Sequence, residues 1–181
     1  MSAPPRLLEQ YRKEIVPAMM QKFGFKNKLQ VPHLEKIVVN MGVGLGAHDI
    51  KPLEEASKEL ALIAGQRPVI TKARKSISNF KVRKGSSIGC KVTLRASKMY
   101  EFLDRLVNVA LPRIKDFRGL SRNAFDANGN YSLGITEQTI FPEVDIDKLK
   151  RLQGMDVTLV TTASTYDLAF ELLKAFGFPF R

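Results

Sequence analysis

Ile88-Gly-Cys-Lys-Val-Thr-Leu-Arg95 alternates residue by residue. Ile88, Cys90, Val92 and Leu94 fall on one side, and Gly89, Lys91, Thr93 and Arg95 on the other. A period of two is the mark of a β-strand with one buried face. Leu34 to Gly44 carries a similar pattern: Ile37, Val39, Met41 and Val43 alternate with Val38, Asn40 and Gly42. Strands with one apolar face need a cover, and apolar residues at helical spacing stand near them in the chain.

Leu7, Leu8, Tyr11, Ile15, Met19 and Phe23 predict an amphipathic helix over residues 5–23, stopped by Gly24. Pro17 lies inside it and has no N–H, so a kink or two shorter pieces is expected there. Leu53, Ala56, Leu60 and Ile63 or Ala64 predict a second helix, closed by Gly65. Pro68 to Ala73 reads as a short strand with Val69 and Thr71 on one face. Ser97 reads as the N-cap of a third helix with Tyr100, Leu103, Leu106, Val107, Ala110 and Leu111 inward, ended by Pro112. Strands follow at Tyr131 to Ile135, at Thr139 to Phe141 and near Met155 to Thr162. A last helix is expected from Ser164 to Gly177, with Asp167 placed for a capping box. This order predicts one α+β domain over residues 1–181, with an antiparallel-rich sheet and helices on one face. The other face would carry Asn40, Lys91, Thr93 and Arg95, a polar and basic surface suited to RNA.

Charge sharpens that reading. The 181 residues include 29 Lys and Arg against 18 Asp and Glu, a formal net charge of +11. Leu60 to Tyr100 contains no acid and holds Arg67, Lys72, Arg74, Lys75, Lys81, Arg83, Lys84, Lys91, Arg95 and Lys98. The other 19 cations face all 18 anions, so nearly the whole excess belongs to one segment. A surface built only for solubility mixes signs. A one-sign segment points to a polyanion, with nucleic acid first.

Within it, Thr71-Lys-Ala-Arg-Lys-Ser-Ile-Ser-Asn-Phe-Lys-Val-Arg-Lys-Gly85 joins two strands. Its cations neutralise phosphates, and Ser76, Ser78 and Asn79 can bond phosphate or 2′-OH oxygens. The loop, about residues 72–86, is expected to project and to order on contact. Phe80 either stacks on a base or packs back to anchor the loop, and the second reading is favoured.

Other chemistry finds little support. No run of about 18 apolar residues exists, so no transmembrane helix is expected. A membrane surface ranks second to nucleic acid as the acidic partner, and no membrane partner is assigned. Met1 to Gln10 lacks the apolar core of a signal peptide. One cysteine excludes an internal disulfide and fits a reducing compartment. Cys90 reads as a small core residue. His33, His48 and Cys90 are too few for a zinc site, so no metal and no cofactor is expected. Gly42-Val-Gly-Leu-Gly-Ala47 fits the dinucleotide fingerprint. Thr71, Lys72, Ala73 and Arg74 stand where that fingerprint wants an acid, which makes a flexible turn the better reading. Glu143, Asp145 and Asp147 read as solvated surface or as a contact for a basic protein. No catalytic residue is assigned, and the chain is not expected to be an enzyme.

Several longer stretches together carry a family resemblance. Lys36-Ile-Val-Val-Asn-Met-Gly-Val-Gly44, Leu60-Ala-Leu-Ile-Ala-Gly-Gln-Arg-Pro-Val-Ile-Thr-Lys-Ala-Arg-Lys-Ser76, Asn108-Val-Ala-Leu-Pro-Arg-Ile-Lys-Asp-Phe-Arg-Gly-Leu120 and Ile140-Phe-Pro-Glu143 are four of them. With Ile88 to Arg95 and the ending Gly177-Phe-Pro-Phe180, they resemble the bacterial large-subunit ribosomal protein five, which binds 5S rRNA. The resemblance runs from about residue 6 to the C-terminus. One departure is Asp126-Ala-Asn-Gly-Asn130, where the family has Asp-Gly-Arg-Gly-Asn. The resemblance implies a place in the central protuberance, beside 23S rRNA and neighbouring 5S-associated ribosomal proteins. It implies 5S contacts at Asn40, Gln66 and Thr93, to which the strand reading adds Lys91 and Arg95. It implies that the basic loop faces the peptidyl-site tRNA through Lys72, Arg74, Lys75, Ser76, Ser78, Asn79, Lys81, Arg83 and Lys84. The stretch from about Pro112 to Asp147 would face a small-subunit head ribosomal protein, an intersubunit bridge.

Overall fold

The computed structural model describes residues 4–47 and 49–181, with Lys148 described by its backbone alone. His48 therefore lies outside the described residues. Five strands form an antiparallel sheet: β1 Leu34–Gly42, β2 Val69–Lys72, β3 Ser87–Leu94, β4 Tyr131–Ile135 and β5 Met155–Thr161, in the order β2-β3-β1-β5-β4. The helices are α1 Arg6–Gln10, α2 Val16–Phe23, α3 Lys51–Ala64, α4 Ala96–Arg105 and α5 Tyr166–Ala175. The α+β class and the antiparallel sheet are as the sequence predicts.

The expected break near Pro17 takes a specific form. Tyr11–Ile15 is a π-helical turn between α1 and α2, and Pro17 sits at the start of α2. The wider turn removes the clash between the proline ring and the preceding carbonyl. Gly24 and Gly65 both end their helices with left-handed φ, +69° and +62°.

Two compact units emerge from the packing. The first comprises the residues up to Ile37, Arg95–Leu133 and Thr158–Arg181. Its α1 and α4 pack together, and Arg6 pairs with Asp104 through both guanidinium and carboxylate edges. Tyr11 stacks on Phe176 at 6.0 Å, and Phe125, Tyr131, Phe170 and Phe180 form a ring cluster. Asp126 accepts from the backbone N–H of Asn128 and Asn130 at 2.9 and 2.8 Å, which closes the 126–130 loop. Ala127 and Asn128, the two departures from the family pattern, are exposed and leave that closure intact.

The second unit comprises Val38–Leu94 and Gly134–Val157. Here α3 buries Leu53, Ala56, Leu60, Ile63 and Ala64 and packs against β3. Val39, Met41, Cys90, Val92 and Leu94 are buried, so both alternating strands turn their apolar sides to the core. Gln138 is a fully buried polar side chain. Its amide donates to the Arg151 carbonyl at 2.8 Å, and its oxygen accepts from the Gln153 N–H at 2.6 Å.

Four local expectations are corrected. Thr139 to Phe141 is not a strand: Gln138–Ile140 is a 3-10 turn, because the Phe141 N–H bonds back to the Gln138 carbonyl. Ser97 is not the cap of α4: the chain turns at Ala96, at φ +50°, and Arg95 holds the cap position. The capping box at Ser164 does not form, since α5 starts at Tyr166 behind Thr165 with no side-chain cap. β1 stops at Gly42, and Gly44–Ala47 is a 3-10 turn.

Candidate nucleic-acid interface

β3 sets one surface of the second unit. Lys91 is exposed and Thr93 half-buried, between the buried Cys90, Val92 and Leu94. Asn40 is half-buried between Val39 and Met41 on β1, and Gly42 continues its side. Antiparallel pairing sets Val69 opposite Lys91 and Thr71 opposite Gly89, so Thr71 shares this face. Asn40, Lys91 and Thr93 thus stand on the sheet side away from the apolar core.

Gln66 joins them through a bond. It is the first residue after Gly65, where α3 stops, and its amide Nε2 donates to the Thr93 carbonyl at 3.2 Å. The hydroxyl of Thr93 and the amide oxygen of Gln66 remain as hydrogen-bonding groups. Arg95 is exposed on extended backbone and falls in the first unit.

Two glycines shape the face, one crowded and one bare. A Cβ on Gly89 would lie 2.6 Å from the Met41 carbonyl oxygen and 3.0 Å from Thr71 Oγ1. Gly42 has nothing within 4 Å of its own Cβ position. Backbone is therefore open to a close partner at Gly42, beside Asn40, while Gly89 is the place where β1 and the Thr71 side chain come close. The local signal was a lone glycine inside a strand pattern, which marks close backbone approach. Thr71 is the face residue that reading missed.

The loop between β2 and β3 is a closed hairpin. Ala73 and Ser86 extend the ladder through the Ala73 N–H to Ser86 carbonyl bond at 2.8 Å, and Lys84 N–H donates to Ser76 Oγ at 2.9 Å. Ile77 and Val82 exchange both backbone bonds, and the Lys81 N–H bonds to the Ser78 carbonyl across the tip. Lys81 takes the left-handed φ, +52°, that a tight tip requires. Ordering on contact is thus corrected: the loop supplies its own hydrogen bonds. Phe80 is also corrected. It does not pack back but stands at the tip, 71% exposed.

The cations differ by region. Outside the basic segment some of them pair: Lys13 with Glu9, Lys22 with Glu171 and Lys150 with Glu55, at 2.6–2.8 Å. Among the described residues, Arg67, Lys72, Arg74, Lys75, Lys81, Arg83, Lys84, Lys91 and Arg95 pair with no carboxylate. Unpaired, exposed cations keep their charge for an external anion.

The glycine fingerprint finds no support. β3 lies between β1 and β2 in the sheet, so these two strands are not the adjacent parallel pair of a dinucleotide fold, and a Cβ on Gly46 would meet the Ser87 carbonyl at 3.0 Å and Leu53 Cβ at 3.2 Å. Packing accounts for that glycine.

Two family profiles cover most of the chain. One, described as ribosomal protein L5, matches residues 27–83. The other, the C-terminus of the ribosomal L5P family, matches residues 87–180. The chain belongs to the ribosomal protein L5 family. Members of this L5 family are structural, non-enzymatic ribosomal proteins of the large subunit, active in translation in the cytoplasm. The large ribosomal subunit protein uL5 of Syntrophomonas wolfei is 59% identical over 176 residues, covering 97% of this chain and 99% of the relative. That of Clostridium tetani is 57% identical over 176 residues, covering 97% and 98%. That of Caldanaerobacter subterraneus is 58% identical over 175 residues, with the same coverage. Between the two L5 profiles lie only residues 84–86, the returning end of the basic hairpin.

Proposed function

We propose that this protein binds 5S rRNA on the open face of its sheet and helps attach it in the central protuberance of the large subunit. The observation that carries this reading is the grouping of Asn40, Gln66, Lys91 and Thr93. Amide and hydroxyl groups there suit ribose 2′-OH groups across a shallow minor groove. Lys91 supplies phosphate neutralisation, and Arg95 adds a second exposed cation. The bare backbone at Gly42 lets a sugar–phosphate strand come close.

The basic hairpin is a second RNA contact, directed at the peptidyl-site tRNA. Its exposed cations, Lys72, Arg74, Lys75, Lys81, Arg83 and Lys84, and the polar Ser76, Ser78 and Asn79 would meet that tRNA. The stretch from about Pro112 to Asp147 would face a small-subunit head ribosomal protein. 23S rRNA and the neighbouring 5S-associated ribosomal proteins complete the proposed surroundings. The whole chain, residues 1–181, would act as one RNA-binding domain.

Filter binding at physiological salt tests the central claim. Selective affinity for 5S rRNA over tRNA and random RNA is expected. Equal affinity for all three, with only a salt-dependent component, would remove the reading.

A further inference from the structure

We infer that Phe80 is a stacking residue, which inserts against an unpaired base of a structured RNA. This rests on the reading of the basic hairpin as an RNA contact, and it adds what that reading lacks: a preference for unstacked bases over paired ones.

An exposed phenylalanine costs solubility and brings no hydrogen bond. At 71% exposure Phe80 contributes little to the core. Among the described residues it has no ring or cation partner, although Phe23 and Phe170 each have a cation over their rings. Its place is also held. The Ile77–Val82 bridge and the left-handed Lys81 fix the four-residue tip, so the ring is presented without a large ordering cost on binding.

The surroundings name the occupant. Lys75, Lys81, Arg83 and Lys84 are exposed around the tip, with no acid from Leu60 to Tyr100. An apolar protein surface would gain nothing from that charge, whereas a nucleobase arrives with phosphates on both sides. A ring held among cations is the arrangement that binds single-stranded nucleic acid by stacking. In a duplex the bases are already stacked on one another, so the ring has no free face to meet. Phe80 therefore favours loops, bulges and turned-out bases.

The chain contains no tryptophan, so Phe80→Trp installs a single reporter. The full-length variant is titrated with an RNA stem–loop and with a blunt duplex of the same stem. Strong quenching of the indole by the stem–loop and little by the duplex is expected. Phe80→Ala should weaken stem–loop binding about tenfold at fixed salt, with duplex affinity and the salt slope unchanged. Phe80→Tyr should restore the affinity and Phe80→Leu should not; full affinity in the leucine variant would mean an apolar contact and overturn stacking. Phe80 is exposed, so these variants should melt like the parent. The joint substitution of Lys75, Lys81 and Lys84 by alanine separates two failures. If it weakens both RNAs while the Phe80 variants change neither, stacking alone is wrong. If it too changes nothing, the hairpin does not meet RNA and both readings fall.

Discussion

Gln66 and Thr93, 27 residues apart, are joined by a bond from the Gln66 side-chain amide to the Thr93 carbonyl at 3.2 Å. The bond fixes the residue after α3 beside the residue of β3 whose hydroxyl stands on the open sheet face. Two positions that the family resemblance marks separately are therefore one local structure.

That coupling shapes the first prediction. Asn40→Ala, Gln66→Ala and Thr93→Ala should each weaken 5S rRNA binding by about 1–3 kcal/mol if each leaves a buried partner unpaired. Gln66→Glu should lose at least as much as Gln66→Ala, because it removes the donor and sets a carboxylate against the Thr93 carbonyl and the RNA. Wild-type affinity in all three alanine variants, measured by filter binding, would remove the assignment.

Neutralising Lys75, Lys81 and Lys84 together should leave 5S affinity nearly intact and impair peptidyl-site tRNA positioning. Chemical footprinting of tRNA on reconstituted ribosomes reads the second effect. A large loss of 5S affinity would refute the separation of the two contacts.

Gly89→Ala should destabilise the protein by about 1–3 kcal/mol, since the new methyl meets backbone at the Met41 carbonyl, which cannot swing aside. Urea unfolding followed by circular dichroism and tyrosine fluorescence measures it. One shared transition in the parent would support a single domain, and two would divide the chain. An unchanged midpoint in the variant would mean that the strands part easily at Gly89.

Asp104 carries the clearest acid dependence. The hydrogen bond from Arg6 holds its carboxyl below the ordinary value, with a second from Asn108 acting in the same direction. A depressed carboxylate contributes stability above its unfolded pKa, about 3.9, and loses it as pH falls through the folded value. Asp104→Asn should therefore lower the melting temperature at neutral pH. The gap to the parent should begin to narrow at about pH 4 and shrink steadily as the pH falls further. A gap that does not change with falling pH would show that the ionised form is not what stabilises.

Cys90 is buried, and desolvation first, then the charge of Glu59, pushes its thiol up to about 11. Iodoacetamide at neutral pH should modify the native protein slowly and the urea-unfolded protein quickly. Fast labelling of the native protein, read by mass spectrometry, would mean that β3 opens readily.

Much of this was legible locally. Cys90, Val92 and Leu94 against Lys91 and Thr93 identify a strand face, because side chains alternate whatever the strand pairs with. Gly24 and Gly65 mark helix ends, because a left-handed residue is a local requirement. The acid-free run from Leu60 to Tyr100 is a property of composition alone. Thr139 to Phe141 misled, because the buried Gln138 amide and its bonds to Arg151 and Gln153 favour a turn that no local pattern announces.

The sequence by itself determined which residues alternate, where helices stop and where the positive charge collects. These depend on near neighbours and on chain geometry. Only the tertiary structure decided the strand order β2-β3-β1-β5-β4, the Gln66–Thr93 bond, the closed hairpin and the outward Phe80. Each depends on groups brought together across the chain or on the space left around a side chain. Hydrogen-bond direction and exposure are set by packing, and packing is not a property of any one segment.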